Sequence, residues 1–175
     1  MAKHIALLRA INVGGRTVKM DHLRELFAEL GFRNVATLIA SGNVTFDAST
    51  AEAAKLETKI ERHLHTRLGF LSETYLRTRS ELEAVVAHTA FLAATVKSAH
   101  ALWIAFLKKE PTRAAAETLM AVRCPTDEFQ IHGREVHWLR RATSSESRFT
   151  GSLDKILGVP VTARNITTVR KLAAM

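Results

Sequence analysis

An arginine within a run of apolar residues is the first position where the sequence points to chemistry. Arg9 lies in the β-tolerant run 5–13, where strand alternation places it on the same side as Leu7 and Ile11. An unpaired guanidinium is costly to bury, and its planar geometry suits phosphate or carboxylate. The pattern leaves two interpretations: Arg9 projects into a cleft, or it forms a structural ion pair.

The segment after this run joins a predicted strand to a predicted helix. Residues 12–19 read Asn-Val-Gly-Gly-Arg-Thr-Val-Lys and include Gly14 and Gly15. Backbone N–H groups and the helix dipole at such a connection can hold a phosphate. The spacing matches neither GxGxxG nor GxxxxGK[ST], so neither a dinucleotide nor a Walker-type site is predicted. A tight turn is the competing interpretation of the two glycines.

The histidines and the single cysteine form no convincing catalytic or metal-binding set. His63 and His65 lie two positions apart on a predicted helix and point to different sides. His132 and His137 could share one face of a predicted hairpin, but no third ligand is evident nearby. We therefore predict no metal site, and we interpret Cys124 as a small apolar residue.

Hydrophobic periodicity indicates a β-α-β-β-α-β order in the first half of the chain. The predicted elements are a strand at 5–13, a helix from about 20 to 31, strands at 35–40 and 44–46, a helix ending at Gly69 and a strand at 74–77. Ser41 lies in the short connection between the paired strands, not in a GxSxG elbow, so a serine hydrolase is not supported. This order is that of a ferredoxin-like unit, whose helices cover one sheet face.

The β-α-β-β order begins again in the second half. The predicted elements there are a strand at 101–107, a helix at 113–121, hairpin strands at 128–132 and 135–139, a helix at 153–157 and a terminal helix at 165–174. Before them, Ser80 and Glu83 form a capping-box pattern for a helix to about residue 88. We predict an α+β protein of two abutting ferredoxin-like units with antiparallel sheets: an N-terminal βαββαβ unit plus a short helix at 1–88, a connector at 89–100 and a C-terminal β-α-β-β-α unit with a terminal helix at 101–175.

Composition limits the class of protein. A chain of 175 residues can bury a core without metals or disulfides, so no cofactor is expected. One cysteine, no signal-peptide pattern and no apolar stretch near the roughly 18 residues of a membrane span favour a cytoplasmic protein without membrane contact. The sequence carries no signal for oligomeric state.

The net charge of +8 favours anionic partners. Residues 132–175 hold most of the excess, with eight Lys and Arg against three Asp and Glu. This basic quarter is either a solubilising surface or a nucleic-acid-binding one. The aromatic pattern of an RNA-binding sheet is absent, so nucleic acid is a possible partner that no motif supports.

Five short segments carry a family resemblance. They are Leu-Leu-Arg-Ala-Ile-Asn-Val-Gly-Gly at 7–15, Val-Lys-Met at 18–20, Leu-Gly-Phe at 30–32, Ser-Gly-Asn-Val at 41–44 and Thr-Ala-Arg-Asn at 162–165. In this order they resemble the uncharacterised bacterial family called domain of unknown function 1697. The resemblance implies a cytosolic protein whose biochemical role is unassigned and which has no established catalytic residues. Ala10 stands where the family pattern usually has Gly, and Ile166 where it usually has Trp.

The resemblance groups nine candidate site residues, the polar and glycine positions of its motifs. They are Arg9, Asn12, Gly14, Gly15, Ser41, Gly42, Asn43, Arg164 and Asn165.

The leading hypothesis is a binding or catalytic pocket for a small anionic ligand at the junction of the units. Arg9 and Arg164 would pair its charge, and Asn12, Ser41 and Asn43 would orient it. The alternatives are a nucleic-acid-binding module using the basic quarter, or an interaction protein without a ligand. Whether the protein is an enzyme stays open.

Overall fold

A computed structural model describes residues 1–49 and 52–175, which divide into two compact units. The first comprises Met1–Glu83 with Lys171–Met175, and the second comprises Ala84–Arg170. Each contains one four-stranded antiparallel sheet built in the order β-α-β-β-α-β. The predicted α+β class with two ferredoxin-like units is therefore confirmed. Within the described ranges, no helix has both the length and the apolar character needed to cross a membrane.

The first unit packs two helices on one face of its sheet. Its elements are β1 (Ala2–Leu8), α1 (Met20–Glu29), β2 (Arg33–Thr37), β3 (Asn43–Ala48), α2 (Ala53–Leu68) and β4 (Thr74–Thr78), with strand order β2-β3-β1-β4. The helix α3 (Arg79–Ala87) follows, and its residues from Ala84 onward belong to the second unit. The helices bury Phe27 and Ile60 against Leu8 and Phe46. Apolar burial of this kind is the main favourable contribution to folding.

The edge strand β4 has its outward N–H groups bonded to carboxylates. Thr74 N donates to Glu61 Oε1 at 2.8 Å, Leu76 N to Glu57 Oε1 at 2.9 Å, and Thr78 N to Glu81 Oε2 at 2.7 Å. Glu57 and Glu61 lie one turn apart on α2, so that helix both packs on the sheet and satisfies its edge. Unpaired N–H groups of an edge strand would otherwise be a template for another strand.

The start of α3 corrects one prediction. Glu81 N donates to Thr78 Oγ1 at 3.2 Å while Glu81 accepts from Thr78 N, which is a reciprocal capping box. Ser80 and Glu83, predicted for this role, do not fill it, and Glu83 instead pairs with Arg79 at 2.9 Å.

The second unit repeats the same layout. Its elements are α4 (Ala93–Ser98), β5 (Ala101–Phe106), α5 (Arg113–Met120), β6 (Asp127–His132), β7 (Glu135–Arg140), α6 (Leu153–Leu157), β8 (Thr162–Asn165) and the start of α7 (Ile166–Ala173), with strand order β6-β7-β5-β8. The division between the units falls within α7, after Arg170. Leu119 and Leu153 pack on Ala105 and Val136. The short strand β8 was not predicted, and α4 lies in the predicted connector at 89–100.

A buried carboxylate anchors the long segment 141–149 to the second sheet. Asp127 accepts hydrogen bonds from Thr126 Oγ1 at 2.6 Å, Ser147 Oγ at 2.7 Å and Trp138 Nε1 at 2.8 Å. Burial acts to raise the pKa of Asp127, but these hydrogen bonds and Arg140 outweigh it and hold the pKa below its ordinary value. The charged form is therefore the one the fold stabilises.

The end of β1 differs from the prediction and moves Arg9. The strand stops at Leu8 rather than continuing to residue 13, because Ala10 and Asn12 have left-handed backbone with φ of 60° and 55°. Arg9 therefore lies outside the alternating strand, and its inferred place among the buried strand residues was wrong.

The sheet faces opposite the helices are also buried. In the first unit this face carries Ile5 and Arg77, and in the second it carries Ile104, Arg164 and His137. Ile5 pairs with Arg77 across β1 and β4, and Ile104 pairs with Arg164 across β5 and β8. The two arginines are therefore topological counterparts.

Replacing Glu57 by Ala tests the closed edge of β4. We expect the free energy of unfolding to fall by about 1 to 3 kcal/mol, because the buried Leu76 N–H loses its acceptor. Urea unfolding followed by circular dichroism measures this change. Glu83→Ala, which removes an exposed ion pair, should change it by less than about 0.5 kcal/mol. Equal effects of the two variants would contradict this role of Glu57.

Candidate functional site

Two connections of the first unit meet at the end of β1 and form the candidate site. They are residues 9–19, between β1 and α1, and residues 38–42, between β2 and β3, together called the loop pair. Leu8 N donates to the Gly42 carbonyl at 2.8 Å, which joins them at their base. Seven of the nine predicted site residues lie in the loop pair or directly beside it.

Asn12 links the two connections through its side-chain amide. Its Nδ2 donates to the Ala40 carbonyl at 2.8 Å and to the Val18 carbonyl at 3.1 Å, while its Oδ1 accepts from Val18 N at 2.6 Å. Both amide donors and the carbonyl oxygen are thus engaged within the protein. Asn12 therefore shapes the loop pair, and the role of orienting a ligand that the sequence suggested for it stays a prediction.

The backbone of the loop pair is strained. Ala10, Asn12 and Ile39 have φ of 60°, 55° and 51°, and they are three of the four non-glycine residues in the described ranges with left-handed backbone. For a β-branched residue such as Ile39 this conformation is a clear outlier. Strain of this kind persists only where surrounding contacts enforce it, and it concentrates at functional sites.

The turn that carries Ser41, Gly42 and Asn43 is tightly packed. A Cβ on Gly42 would lie 3.0 Å from the Cβ atoms of Ile11 and Leu8, and its φ is 73°, so the position requires glycine. Asn43 is buried, and its Nδ2 donates to the Leu38 carbonyl at 3.0 Å and to Ser41 Oγ at 2.8 Å. These contacts hold the turn in shape.

Arg9 forms the ion pair that the sequence allowed as an alternative. Its Nη1 lies 3.3 Å from Glu73 Oε1, and its backbone N donates to the Glu73 carbonyl at 2.9 Å. Ser72 Oγ donates to the Arg9 carbonyl at 2.7 Å. The Arg9 side chain is nevertheless 36% exposed, so part of the guanidinium faces solvent.

The tip of residues 9–19 presents unoccupied backbone donors. Gly14 and Gly15 are exposed, both have left-handed φ, and their N–H groups donate to no residue in the described ranges. Arg16 follows directly, with its guanidinium carbon 4.5 Å from the ring centroid of Phe70. Arg16 N donates to the Val13 carbonyl at 3.1 Å, so the two glycines form the tight turn that the sequence allowed as the competing interpretation. Successive N–H groups in a turn can form the type of concavity that binds anions.

Arg164 and Asn165 belong to the second unit, and each has a structural explanation. Arg164 is buried and its Nη1 donates to the Ala163 carbonyl at 2.9 Å and to Thr162 Oγ1 at 2.8 Å. Its counterpart Arg77 makes the equivalent bond to the Leu76 carbonyl at 2.8 Å. Burial lowers the pKa of Arg164 to about 10. The predicted binding role of Arg164 and Asn165 stays a prediction.

Asn165 satisfies the start of the last helix. Its Oδ1 accepts from Thr167 N at 2.9 Å, the usual contact of an asparagine at a helix N-terminus.

The repeat shows which parts of the loop pair exceed what the fold needs. Leu8 and Leu107 occupy equivalent positions, after which the chain reaches the first helix over residues 9–19 in one unit and 108–112 in the other. The hairpin connection spans 38–42 in the first unit and only 133–134 in the second. Longer loops on one copy of a shared framework are typical of function.

A histidine cluster in the second unit was missed at the sequence level. His132 and His137 share one face of the hairpin, as predicted, and the third member is His88, just after α3. The His88 ring stacks on His132 with centroids 3.9 Å apart and lies 5.0 Å from that of His137. Forty-four positions separate His88 from His132, so only the tertiary fold brings them together.

The electrostatics of this cluster favour neutral imidazoles. Burial, with smaller contributions from His88 and His132, lowers the pKa of His137 to about 4. Burial and the neighbouring His132 also lower the pKa of His88. Within residues 1–49 and 52–175, no group of three or more His, Cys, Asp or Glu has a geometry that could hold a metal ion.

A family model described as "Protein of unknown function (DUF1697)" matches residues 1–137. The chain belongs to this family. The DUF1697 match includes the loop pair and all three clustered histidines, and it assigns no activity. No curated protein matches the chain.

The fold is similar to that of a solved structure, the conserved bacterial protein SP0830 from Streptococcus pneumoniae. The TM-score is 0.80 and the sequence identity 24%, over 100% of this chain and 98% of that one. At this identity the similarity shows the fold of the DUF1697 chain and nothing about its ligand.

Replacing Ala10 by Gly tests the strain in this DUF1697 protein. We expect the free energy of unfolding to rise by roughly 0.5 to 1 kcal/mol, because glycine accepts a φ of 60° without the clash of Cβ. Gly42→Ala should lower it by about 2 kcal/mol or more, because the new Cβ meets Ile11 and Leu8. Urea unfolding measures both. A loss of stability in Ala10→Gly would contradict the assignment of strain.

Replacing His137 by Phe tests the cost of protonating the cluster. Because the pKa of His137 is about 4 in the folded protein and near 6.5 when unfolded, the unfolded state binds protons first as the pH falls. We expect the wild type to lose roughly 2 kcal/mol more than His137→Phe between about pH 7 and pH 5.

Denaturant midpoints across this pH range measure the difference. Ile104→Val, which weakens the apolar packing beside His137 in the β5–β7 pair but removes no titratable group, should retain the wild-type pH dependence. If Ile104→Val and His137→Phe flatten it equally, the histidine is not the cause.

Proposed function

We propose that the loop pair binds a small anionic ligand, bearing phosphate or carboxylate, at the tip of residues 9–19. The observation that carries this proposal is the strained extension of the first unit, which leaves the N–H groups of Gly14 and Gly15 exposed and without acceptors among the described residues. The proposal concerns the first unit only. Arg164 and Asn165 are not needed for it.

The charges around the loop pair support an anion. Arg9, Arg16 and Lys19 lie in residues 9–19, and neither this stretch nor 38–42 contains an acidic residue. Arg16 and Lys19 are exposed, and Arg9 is partly exposed beside Glu73. An anionic ligand would accept charge-assisted hydrogen bonds from both the backbone N–H groups and the guanidinium groups. Such bonds are about twice as strong as neutral ones.

Binding suits the chemistry of the loop pair better than catalysis. Residues 9–19 and 38–42 contain no His, Cys, Asp or Glu that could act as a general base or a strong nucleophile. Ser41 Oγ accepts a hydrogen bond from Asn43 as part of the turn. The single cysteine, a free thiol, supports a cytoplasmic location, where phosphorylated and carboxylated metabolites are abundant partners.

Titration with inorganic phosphate tests the proposal. In a ¹⁵N-resolved NMR titration at constant ionic strength, we expect the amide signals of Gly14, Gly15 and Arg16 to shift together. Arg16→Gln should weaken the affinity by roughly three- to tenfold, since it removes one charge-assisted contact. The matched control is Arg33→Gln, at an exposed position of strand β2, which should leave the affinity unchanged.

Two outcomes would contradict the proposal. One is a set of shifts that lies outside residues 9–19, and the other is equal weakening in Arg16→Gln and Arg33→Gln. If a single-stranded RNA oligonucleotide binds with a steep salt dependence and shifts residues 132–175 instead, the nucleic-acid alternative replaces this one.

A further inference from the structure

A cavity lies wholly within the second unit and is separate from the loop pair. It has a volume of about 300 Å³, which is at the small end of the range for ligand pockets. Its walls come from the end of α3, α4 with the residues before it, the start of β5, strand β7 and helix α7. The apolar lining includes Val85, Phe91, Leu102 and Ile166.

A buried histidine without a hydrogen-bond partner lines this cavity. His137 is 1% exposed, and its Nε2 is buried and bonded to nothing in the described ranges. An unsatisfied buried polar atom costs about 1 to 3 kcal/mol, so a group that bonds it on binding would recover that free energy. His88 also lines the cavity and contacts His137.

The charges around the cavity are all of one sign. Lys97 and Arg170 line it and are exposed, whereas none of the lining residues is acidic. Apolar walls with cations at an exposed side are complementary to a molecule with an apolar body and one negative group. A highly charged anion such as phosphate would leave the apolar walls unused.

The topological repeat indicates that His137 is not part of the shared framework. Thr45 occupies the equivalent position in the first unit, paired with Ile5 as His137 is paired with Ile104. On the other side of Ile5 and Ile104, both units have an arginine, Arg77 and Arg164. Only the second unit has a histidine at the position of His137. A framework role would not by itself explain an imidazole with a buried, unbonded nitrogen at this position.

We propose that this cavity binds a small apolar monocarboxylate. Its hydrocarbon part packs on Val85, Phe91 and Leu102, its carboxylate pairs with Arg170 and Lys97, and one carboxylate oxygen accepts a hydrogen bond from His137 Nε2. The neutral imidazole that the low pKa of His137 implies at neutral pH can donate this hydrogen bond when its proton is on Nε2.

Benzoate and its neutral isostere benzamide are the probes. In ¹⁵N-resolved NMR titrations of the full chain, we expect benzoate to shift the amides of Phe91, Leu102 and His137 and to bind roughly tenfold tighter than benzamide. Arg170→Gln should remove most of this preference by weakening benzoate alone. Arg148→Gln, which makes the same change on an exposed residue outside the cavity, should retain it.

A second measurement is independent of the arginine variant. The bound carboxylate should raise the pKa of His88, because a nearby negative charge favours the imidazolium form. A histidine titration followed by NMR with saturating benzoate measures this shift, and benzamide should not produce it.

Three results would overturn the proposal: equal affinities for benzoate and benzamide, equal weakening in Arg170→Gln and Arg148→Gln, or no shift of cavity amides with benzoate. Benzoate shifts confined to Gly14, Gly15 and Arg16 would also overturn it while supporting the loop pair as the anion site. The two proposals therefore fail separately.

Discussion

The side-chain amide of Asn12 is the interaction on which the candidate site depends. It bonds the backbone of Val18, near the far end of its own connection, and the Ala40 carbonyl of the neighbouring hairpin connection, with three hydrogen bonds between 2.6 and 3.1 Å. These bonds hold the adjacent backbone in left-handed conformations that Ala10 and Ile39 would otherwise avoid. The exposed N–H groups of Gly14 and Gly15 lie in the connection that these bonds constrain. A less ordered loop would lose conformational entropy on binding a ligand, and this loss would weaken the affinity.

The duplicated framework separates what the fold requires from what has been added. Both units use the same strand order, the same helix-covered core and a buried arginine bonded to the preceding carbonyl. The first unit adds long connections at one end of its sheet, whereas the second adds the segment 141–149 and the histidine-lined cavity. Each unit thus carries its own candidate site on a common scaffold, as expected when function depends on additions to a fold.

Much of the fold could be predicted from the sequence, because apolar periodicity and glycine positions are local signals. The helix α6 and the second hairpin were found nearly to the residue, and the start of α1 was found as well. In the first hairpin, β2 was predicted at 35–40 but spans Arg33–Thr37, so its connection to β3 is longer than predicted. The end of β1 was missed because Ala10 and Ile11 are compatible with a strand, and only tertiary hydrogen bonds to Asn12 force the turn there. The helix α3 was found with the wrong cap because Thr78 and Ser80 both begin a capping-box pattern. Thr78 is the cap because it is the last residue of β4 and α3 begins directly after it.

Seven of the nine candidate site residues lie in or beside the loop pair, yet most of them stabilise the shape of its two connections. The histidine cluster joins positions distant in sequence, which no spacing rule could reveal.

The carboxylates along β4 have a consequence for association between chains. The outward N–H groups of Thr74, Leu76 and Thr78 donate to Glu61, Glu57 and Glu81 respectively. These groups are therefore not available as donors to an incoming peptide strand. Strand addition to this sheet, a common mode of peptide recognition, is therefore left to the opposite margin at β2. There the ladder with β3 is already irregular between Arg33 and Ala36, which makes that margin a poor template as well.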